Sequence, residues 1–298
     1  MGCRRDRRRR LHRCDYWRCY RMVFARLNNV SFTYAYSERP VLQNISVTLA
    51  EGLLYGVIGT NGSGKTTLCQ LLRGIVPFFH DGELEGDVEV LGKPLLDWEE
   101  SMLATSVGCV FENPFTQISG IKETVFEEIG FGLENLGIER DEIFRRVEET
   151  LDELDLWKLA HKNPNDLSGG QRQKVAFGAI IAMDSPAIVI DEPTSQLDPE
   201  ATEMIFDAIE RLKSRGKTVI LAEHKIDHLA RVADRLIVLH DGHLVQEGAV
   251  RDVLTGSELA RAQMPTSEIV AVSRGLAQAP ALTRDEFHAR LRDEEAIA

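Results

Sequence analysis

The chain has 298 residues, 43% of them hydrophobic and 28% charged, with a formal net charge of −12. The length suits one large domain, or one domain plus an appendage, and the composition is ordinary for a globular protein. The longest apolar stretch, Val175 to Met183, is too short to cross a bilayer, so any work at a membrane requires docking on another chain. The acidic balance argues against nucleic acid as the main partner, because phosphate backbones need a basic face.

Residues 1–21 oppose that balance with nine Arg and two Asp. Three readings stay open for this leader: a basic arm for anionic lipid or nucleic acid, a disordered tail, or an added stretch ahead of a true start at Met22. The third is favoured, because Met22 directly precedes a strand pattern and the leader lacks the apolar middle of a signal peptide. Of five Cys, Cys3, Cys14 and Cys19 lie in the leader, while Cys69 and Cys109 lie in apolar surroundings. No pair has zinc-site spacing, and buried or incidental thiols are expected.

In chain order, Phe24 to Tyr34 and Val41 to Leu49 read as strands with partial alternation. Glu51-Gly52 is a turn. Leu53 to Ile58 is a nearly continuous apolar run, hence a buried strand. A Gly-rich loop follows, then a helix from Lys65 to about Gly74. Val88–Val90 and Val107–Phe111 are further strands. Ile121 to Leu159 turns helical, and Val175–Met183 is an apolar helix. Ile188–Ile190 is a buried strand ending at Asp191. Ala201–Lys213 is an amphipathic helix and Thr218–Ala222 another core strand. Leu236–Leu239 and Leu244–Gln246 form a hairpin about Asp241-Gly242. Strands alternating with helices predict a largely parallel α/β sheet covered on both faces. Beyond about 253 the pattern is helical, interrupted by Pro265 and Pro280.

The loop Gly59-Thr60-Asn61-Gly62-Ser63-Gly64-Lys65-Thr66 lies between strand and helix. A Gly-rich turn there aims successive backbone N–H groups at one point, and the helix dipole adds attraction for anions. Lys65 supplies a mobile charge for the β- and γ-phosphates of ATP, and Thr66 a hydroxyl for Mg²⁺. A second element is Ile188-Val189-Ile190-Asp191-Glu192. It delivers Asp191 to the carboxyl end of a strand, where open α/β sheets bind ligands. Asp191 is the expected Mg²⁺ ligand, through water. Glu192 is the expected base that orients or deprotonates the attacking water.

The segment Leu167-Ser168-Gly169-Gly170-Gln171, one strand and one helix upstream of Asp191-Glu192, decides which nucleotide machine this is. With the phosphate loop, it makes residues 22 to about 250 resemble the ATPase domain of ATP-binding-cassette (ABC) proteins. The resemblance implies an α/β P-loop fold over 22–252, with an antiparallel β edge subdomain and a helical signature subdomain at about 112–170. A C-terminal helical extension over 253–298 follows. It implies that Ser168, Gly169, Gly170 and Gln171 form a second anion cradle, used on the γ-phosphate held by another subunit. Two ATP molecules are then sandwiched in a head-to-tail dimer, whether of two copies or of two related chains. Thr67 joins the nucleotide-binding set. Tyr34 matches the aromatic that stacks on adenine, Asp198 the residue whose loop crosses the dimer, and His224 the switch histidine at the γ-phosphate.

One position departs from the family pattern. Glu112 stands where the family has Gln, near Mg²⁺ and the attacking water. A carboxylate can bind metal but cannot donate as an amide does. It is expected to keep the metal and water contacts and weaken the γ-phosphate contact, with Gln117 as a partial substitute.

The run Phe111 to Ile118, with Thr124 to Gly137 and the tail around Ala281–Phe287, is similar to the ATPases of energy-coupling factor (ECF) transporters. That likeness implies a peripheral subunit on the cytoplasmic face of the cell membrane. Its partners would be a transmembrane coupling subunit and a substrate-binding membrane subunit, taking up a vitamin or a transition-metal ion. Two alternatives remain: the ATPase of another importer class, or a soluble ABC ATPase acting on ribosomes or DNA. The single phosphate loop, and the lack of room for a coiled coil ahead of the signature, favour a transport motor.

Overall fold

The computed structural model describes residues 22–297 apart from 114–115, 196, 262–263, 265 and 275–279. The leader with its three Cys, Pro114, Phe115, Gln196 and Pro265 therefore lie outside the described residues.

Among the described residues, ten strands form two sheets. β1 (Val23–Tyr34), β2 (Leu42–Ala50), β4 (Gly82–Val90) and β5 (Lys93–Pro94) build an antiparallel sheet in the order β2-β1-β4-β5. β3 (Leu54–Gly59), β6 (Val107–Val110), β7 (Ala187–Asp191), β8 (Thr218–Ala222), β9 (Arg235–His240) and β10 (His243–Ala249) build the other, in the order β10-β9-β3-β8-β7-β6. All pairings in this sheet are parallel except the β9–β10 hairpin. Asp241 and Gly242 close that hairpin with φ of +47° and +80°, the conformation that matches strand twist.

The parallel strands read as apolar runs because both of their faces are covered. Leu54 and Ile58, Ile188 and Ile190, and Val219 and Leu221 enter one core cluster, shared with the helices and the C-terminal segment. Their alternates Tyr55 and Val57, Ala187 and Val189, and Ile220 and Ala222 enter a second, shared with the antiparallel sheet.

In chain order the helices are α1 (Lys65–Arg73), α2 (Ile75–Phe78), α3 (Glu100–Ser106), α4 (Val125–Asn135), α5 (Arg140–Glu153) and α6 (Gly169–Ala182). They continue with α7 (Pro199–Ser214), α8 (Ile226–Val232), α9 (Val250–Thr255), α10 (Glu258–Arg261), α11 (Glu268–Ser273) and α12 (Arg284–Ile297). α4, α5 and α6 pack on one another through Ile129, Leu133, Val147, Leu151, Val175 and Phe177.

Three expectations shift. The strand expected at Val88–Val90 runs from Gly82, because pairing with β1 overrides the poor strand propensity of Glu83, Glu85, Gly86, Asp87 and Glu89. The helical stretch after Ile121 begins only at the Thr124 cap and breaks between Asn135 and Arg140. The helix expected from Val175 starts six residues earlier, at Gly169.

The boundary drawn at 252/253 falls inside α9, so the C-terminal helices grow out of the sheet without a linker. Part of this C-terminal segment is packed: Met264, Val270 of α11 and Leu282 are buried in the same cluster as Leu229 of α8. The Ser267 hydroxyl donates to Asp227, and Arg251 pairs with Glu286 at 2.7 Å. Cys69 and Cys109 are buried free thiols, and burial pushes the Cys109 thiol up to about 12.

Candidate active site

Register brings the chemistry to one edge of the parallel sheet. Val57 of β3 and Asp191 of β7 both pair with Ala222 of β8, so the loops after these three strands leave at the same level. They carry Gly59–Gly64, Glu192 and His224. A cavity of about 330 Å³ opens there, lined by Asn61, Gly62, Gly64, Lys65, Thr66, Thr67, Glu112, Glu192 and Val41.

The phosphate loop needs glycine at two points for different reasons. At Gly59, a Cβ would lie 2.3 Å from Ser63 Oγ and 2.5 Å from the Leu239 carbonyl, so only a bare backbone fits. Gly64 sits at φ +98°, a left-handed conformation that side chains resist, and caps α1. No side chain caps the α1 N-terminus and no acid lies in its first turn. Its backbone donors and dipole are thus left for an anion.

Lys65 is 5% exposed, and its ammonium donates to the carbonyls of Gly59 at 3.2 Å and Thr60 at 3.3 Å. Glu192 Oε1 lies 3.9 Å from that ammonium and 2.8 Å from His224 Nε2. Glu192 itself stands at φ +45°, held by its N–H to the Ala222 carbonyl at 2.9 Å. A non-glycine residue in this region carries strain, and such strain gathers at functional sites.

Asp191 is buried, and burial is the main cause that lifts its carboxyl to about 6. The Thr66 hydroxyl bond opposes the lift, Glu192 and Glu112 add to it, and Lys65 opposes it. Asp191 Oδ1 and Ser63 Oγ are buried without hydrogen-bond partners. Orphaned buried oxygens call for an explanation. A hard cation at the Thr66 hydroxyl and the neighbouring Asp191 and Glu112 carboxylates, its shell completed by phosphate and water, would give the orphaned Asp191 oxygen a partner. Among the described residues, no cluster of three His, Cys, Asp or Glu could hold a metal by itself, in keeping with such a shared shell.

Other expected residues stay outside the cavity. The Tyr34 hydroxyl lies 3.1 Å from Thr67 Oγ1 and donates to Gln70 Oε1 at 2.9 Å, and its ring packs edge-on against Phe32. It is thereby fixed to α1 beside the cavity. Ser168 is exposed at the start of α6 and forms a reciprocal cap with Gln171: Ser168 Oγ accepts from Gln171 N, and Gln171 Oε1 accepts from Ser168 N. Gly169 and Gly170 follow in the first turn. Asp198 caps α7, its Oδ1 accepting from Ala201 N at 2.8 Å. None of Ser168, Gly169, Gly170, Gln171 and Asp198 lines the cavity at the phosphate loop of the same chain.

Gln117 is a correction. It does not stand in for the missing amide at Glu112, because its side chain accepts from Phe111 N at 3.0 Å and donates to the Cys109 carbonyl at 2.8 Å. It continues the end of β6 as a neighbouring strand would. Sequence reading also passed over Glu223, a buried carboxylate beside His224 that receives the Thr194 hydroxyl. A charge placed directly after the apolar run Thr218–Ala222 was the available signal.

The family pattern described as "ABC transporter" matches residues 42–195. A Pyrococcus horikoshii protein named as an ABC transporter ATP-binding protein is 40% identical over 87% of this chain and 93% of its own length. Among solved structures, CbiO1 of Clostridium perfringens, part of the ABC transporter complex CbiONQ, superposes with a TM-score of 0.68. It is 27% identical over 80% of this chain and 93% of its own. The ATP-binding cassette MJ0796, solved as a dimer bound to ADP and Pi, gives 0.67 and 29% identity over 76% and 98%. Together with the open phosphate loop, its buried lysine and the paired carboxylates, these likenesses identify the chain as a member of the ABC transporter family and an ATP-hydrolysing enzyme.

Proposed function

We propose that this chain is the energy-coupling ATPase of an ECF-type importer, attached peripherally to the cytoplasmic face of the membrane. It would power uptake of a vitamin or a transition-metal ion through its membrane partners. The observation that carries the ATPase half is the convergence of Lys65, Thr66 and Glu192 on one cavity at an uncapped helix N-terminus, with Asp191 bonded to Thr66 and His224 2.8 Å from Glu192 just behind them. The ECF half is supported by the residue patterns at 111–137 and 281–287, by the likeness to CbiO1 and by the C-terminal helices docked on α8 and α9.

In this reading the N–H groups of Gly59–Thr67 and the Lys65 ammonium bind the β- and γ-phosphates. Tyr34 flanks the adenine. Mg²⁺, held by Thr66, Asp191 and Glu112, supplies charge neutralisation at the phosphate oxygens when bound. Glu192 then accepts the proton of the attacking water, and His224 donates to the γ-phosphate. The hydrogen bond between them must open as nucleotide enters, because Glu192 now occupies both Lys65 and His224. Ser168, Gly169, Gly170 and Gln171 of a second cassette close over the γ-phosphate, with Asp198 near the junction. A second copy of this chain is the simplest such partner.

Closure in turn moves the surface that the membrane partner holds. That surface is assigned to a cavity of about 720 Å³ on the helical unit, where Phe126, Ile138, Ile143 and Phe144 are flanked by Glu127, Glu134, Arg140 and His161. It lies just past the loop that carries Glu112. Purification of the tagged chain from its own membranes in mild detergent tests this reading. A transmembrane coupling subunit and a small substrate-binding membrane protein are expected to co-purify. Recovery with ribosomes, or with no membrane chain, would contradict it.

A further inference from the structure

Glu223 is 3% exposed, a costly place for a carboxylate, yet no step above uses it. Its oxygens are fully engaged across two loops. Oε2 accepts from His224 N at 2.7 Å and Lys225 N at 3.2 Å, which fixes the turn that presents His224. Oε1 accepts the hydroxyl of Thr194, 1% exposed, in the loop between Glu192 and Asp198. Lys225 closes the same link from the other side, donating to the Thr194 carbonyl at 3.3 Å and to Thr202 Oγ1 of α7 at 3.0 Å. The Thr194 carbonyl also accepts from Leu197 N at 3.3 Å, one residue before Asp198.

We infer that Glu223, with Thr194 and Lys225, is a positioning clamp that ties the His224 turn to Thr194 and, through the Thr194 carbonyl, to Leu197 beside Asp198. This rests on the reading that His224 meets the γ-phosphate and that Asp198 lies at the junction with a second cassette. Contact of His224 with nucleotide then sets the loop facing the partner, and partner docking sets His224. Buried, fully satisfied polar networks hold a single geometry, and removing one member leaves the others unpaired.

The test compares Glu223→Ala, Glu223→Gln and Thr194→Val by steady-state ATP hydrolysis, equilibrium ATP binding and ATP-driven dimerisation. In Glu223→Gln the amide oxygen can accept both backbone N–H groups, and its NH₂ can donate to Thr194 Oγ1. Glu223→Ala is expected to lower kcat at least about tenfold with ATP Kd within about threefold of wild type. Glu223→Gln is expected to stay within about threefold in kcat, a rescue that a general loss of fold would not give. Thr194→Val should lower kcat several-fold, and the double variant should fall no further than Glu223→Ala, because both cut one link. If Glu223→Ala does not fold, Thr194→Val alone decides, with an unchanged kcat overturning the clamp. Additive losses, kcat within twofold of wild type in Glu223→Ala, or no rescue by Gln overturn it as well. Failure of the underlying reading looks different: the otherwise unmodified chain with Glu192→Gln would bind ATP without dimerising.

Discussion

The N-termini of α1 and α6 both carry glycine where a phosphate could bind, and they are built in opposite ways. At α1, Gly64 supplies no side chain and the first turn no acid, so the donors stand open over a walled cavity. At α6, Ser168 and Gln171 satisfy each other's backbone N–H groups and the terminus lies on the surface. The first is prepared within one chain. The second is stable alone and becomes a phosphate site only if a ligand offers more than the cap it displaces. On the proposed function, that contrast would let a cassette hold ATP by itself and still depend on a second one for turnover.

Changes at the two termini should therefore have different signatures. Lys65→Ala removes the charge at the open terminus, and hydrolysis should fall at least about 100-fold. ATP binding, read by equilibrium dialysis, should fall with it. Ser168→Ala acts at the capped terminus: hydrolysis should drop on the order of tenfold while monomer ATP binding holds. Denaturant titration should show about 1 kcal/mol lost with the cap. Equal loss of monomer binding in both variants would erase the distinction.

Two smaller effects probe the floor of the open site. Asp191 has its folded-state pKa raised to about 6 by burial, above its usual value of 3.8. Its contribution to the stability of the protein without ligand is therefore fully present near pH 3 to 4 and is lost as pH rises through about 6. That contribution is on the order of 3 kcal/mol. Asp191→Asn should flatten the slope of stability between pH 4 and 7 relative to wild type, read by chemical denaturation. Glu112→Gln should change kcat by only a few-fold and shift the Mg²⁺ dependence, since it restores a donor and removes a charge beside Asp191. No change in either would mean that Glu112 contacts neither metal nor phosphate.

The open terminus was legible in the sequence because its chemistry is local. Gly59–Thr66 is one contiguous segment, and the apolar run Ile188–Ile190 announces where Asp191 emerges. What escaped is non-local or satisfied by backbone. Only Val88–Val90 of β4 was legible, since the acidic stretch from Gly82 is strand-forming only through pairing with β1. Gln117 looked available until its amide was found on the backbone of β6. Glu223 is marked in the sequence only by its place after an apolar run, and the approach of Thr194, far away in sequence, shows why a buried carboxylate stands there. The helical tail was visible as pattern, whereas its burial through Val270 and Leu282 depended on the face of α8 and α9 that it meets.

The dependence of the capped terminus on a second chain is most directly measured by light scattering of Glu192→Gln saturated with ATP. A particle of twice the 33.4 kDa chain mass is expected, reverting to the monomer when Ser168 is also replaced by Arg. An ATP-saturated Glu192→Gln chain that stays at 33.4 kDa, or a dimer indifferent to Ser168, would contradict a site shared between two cassettes.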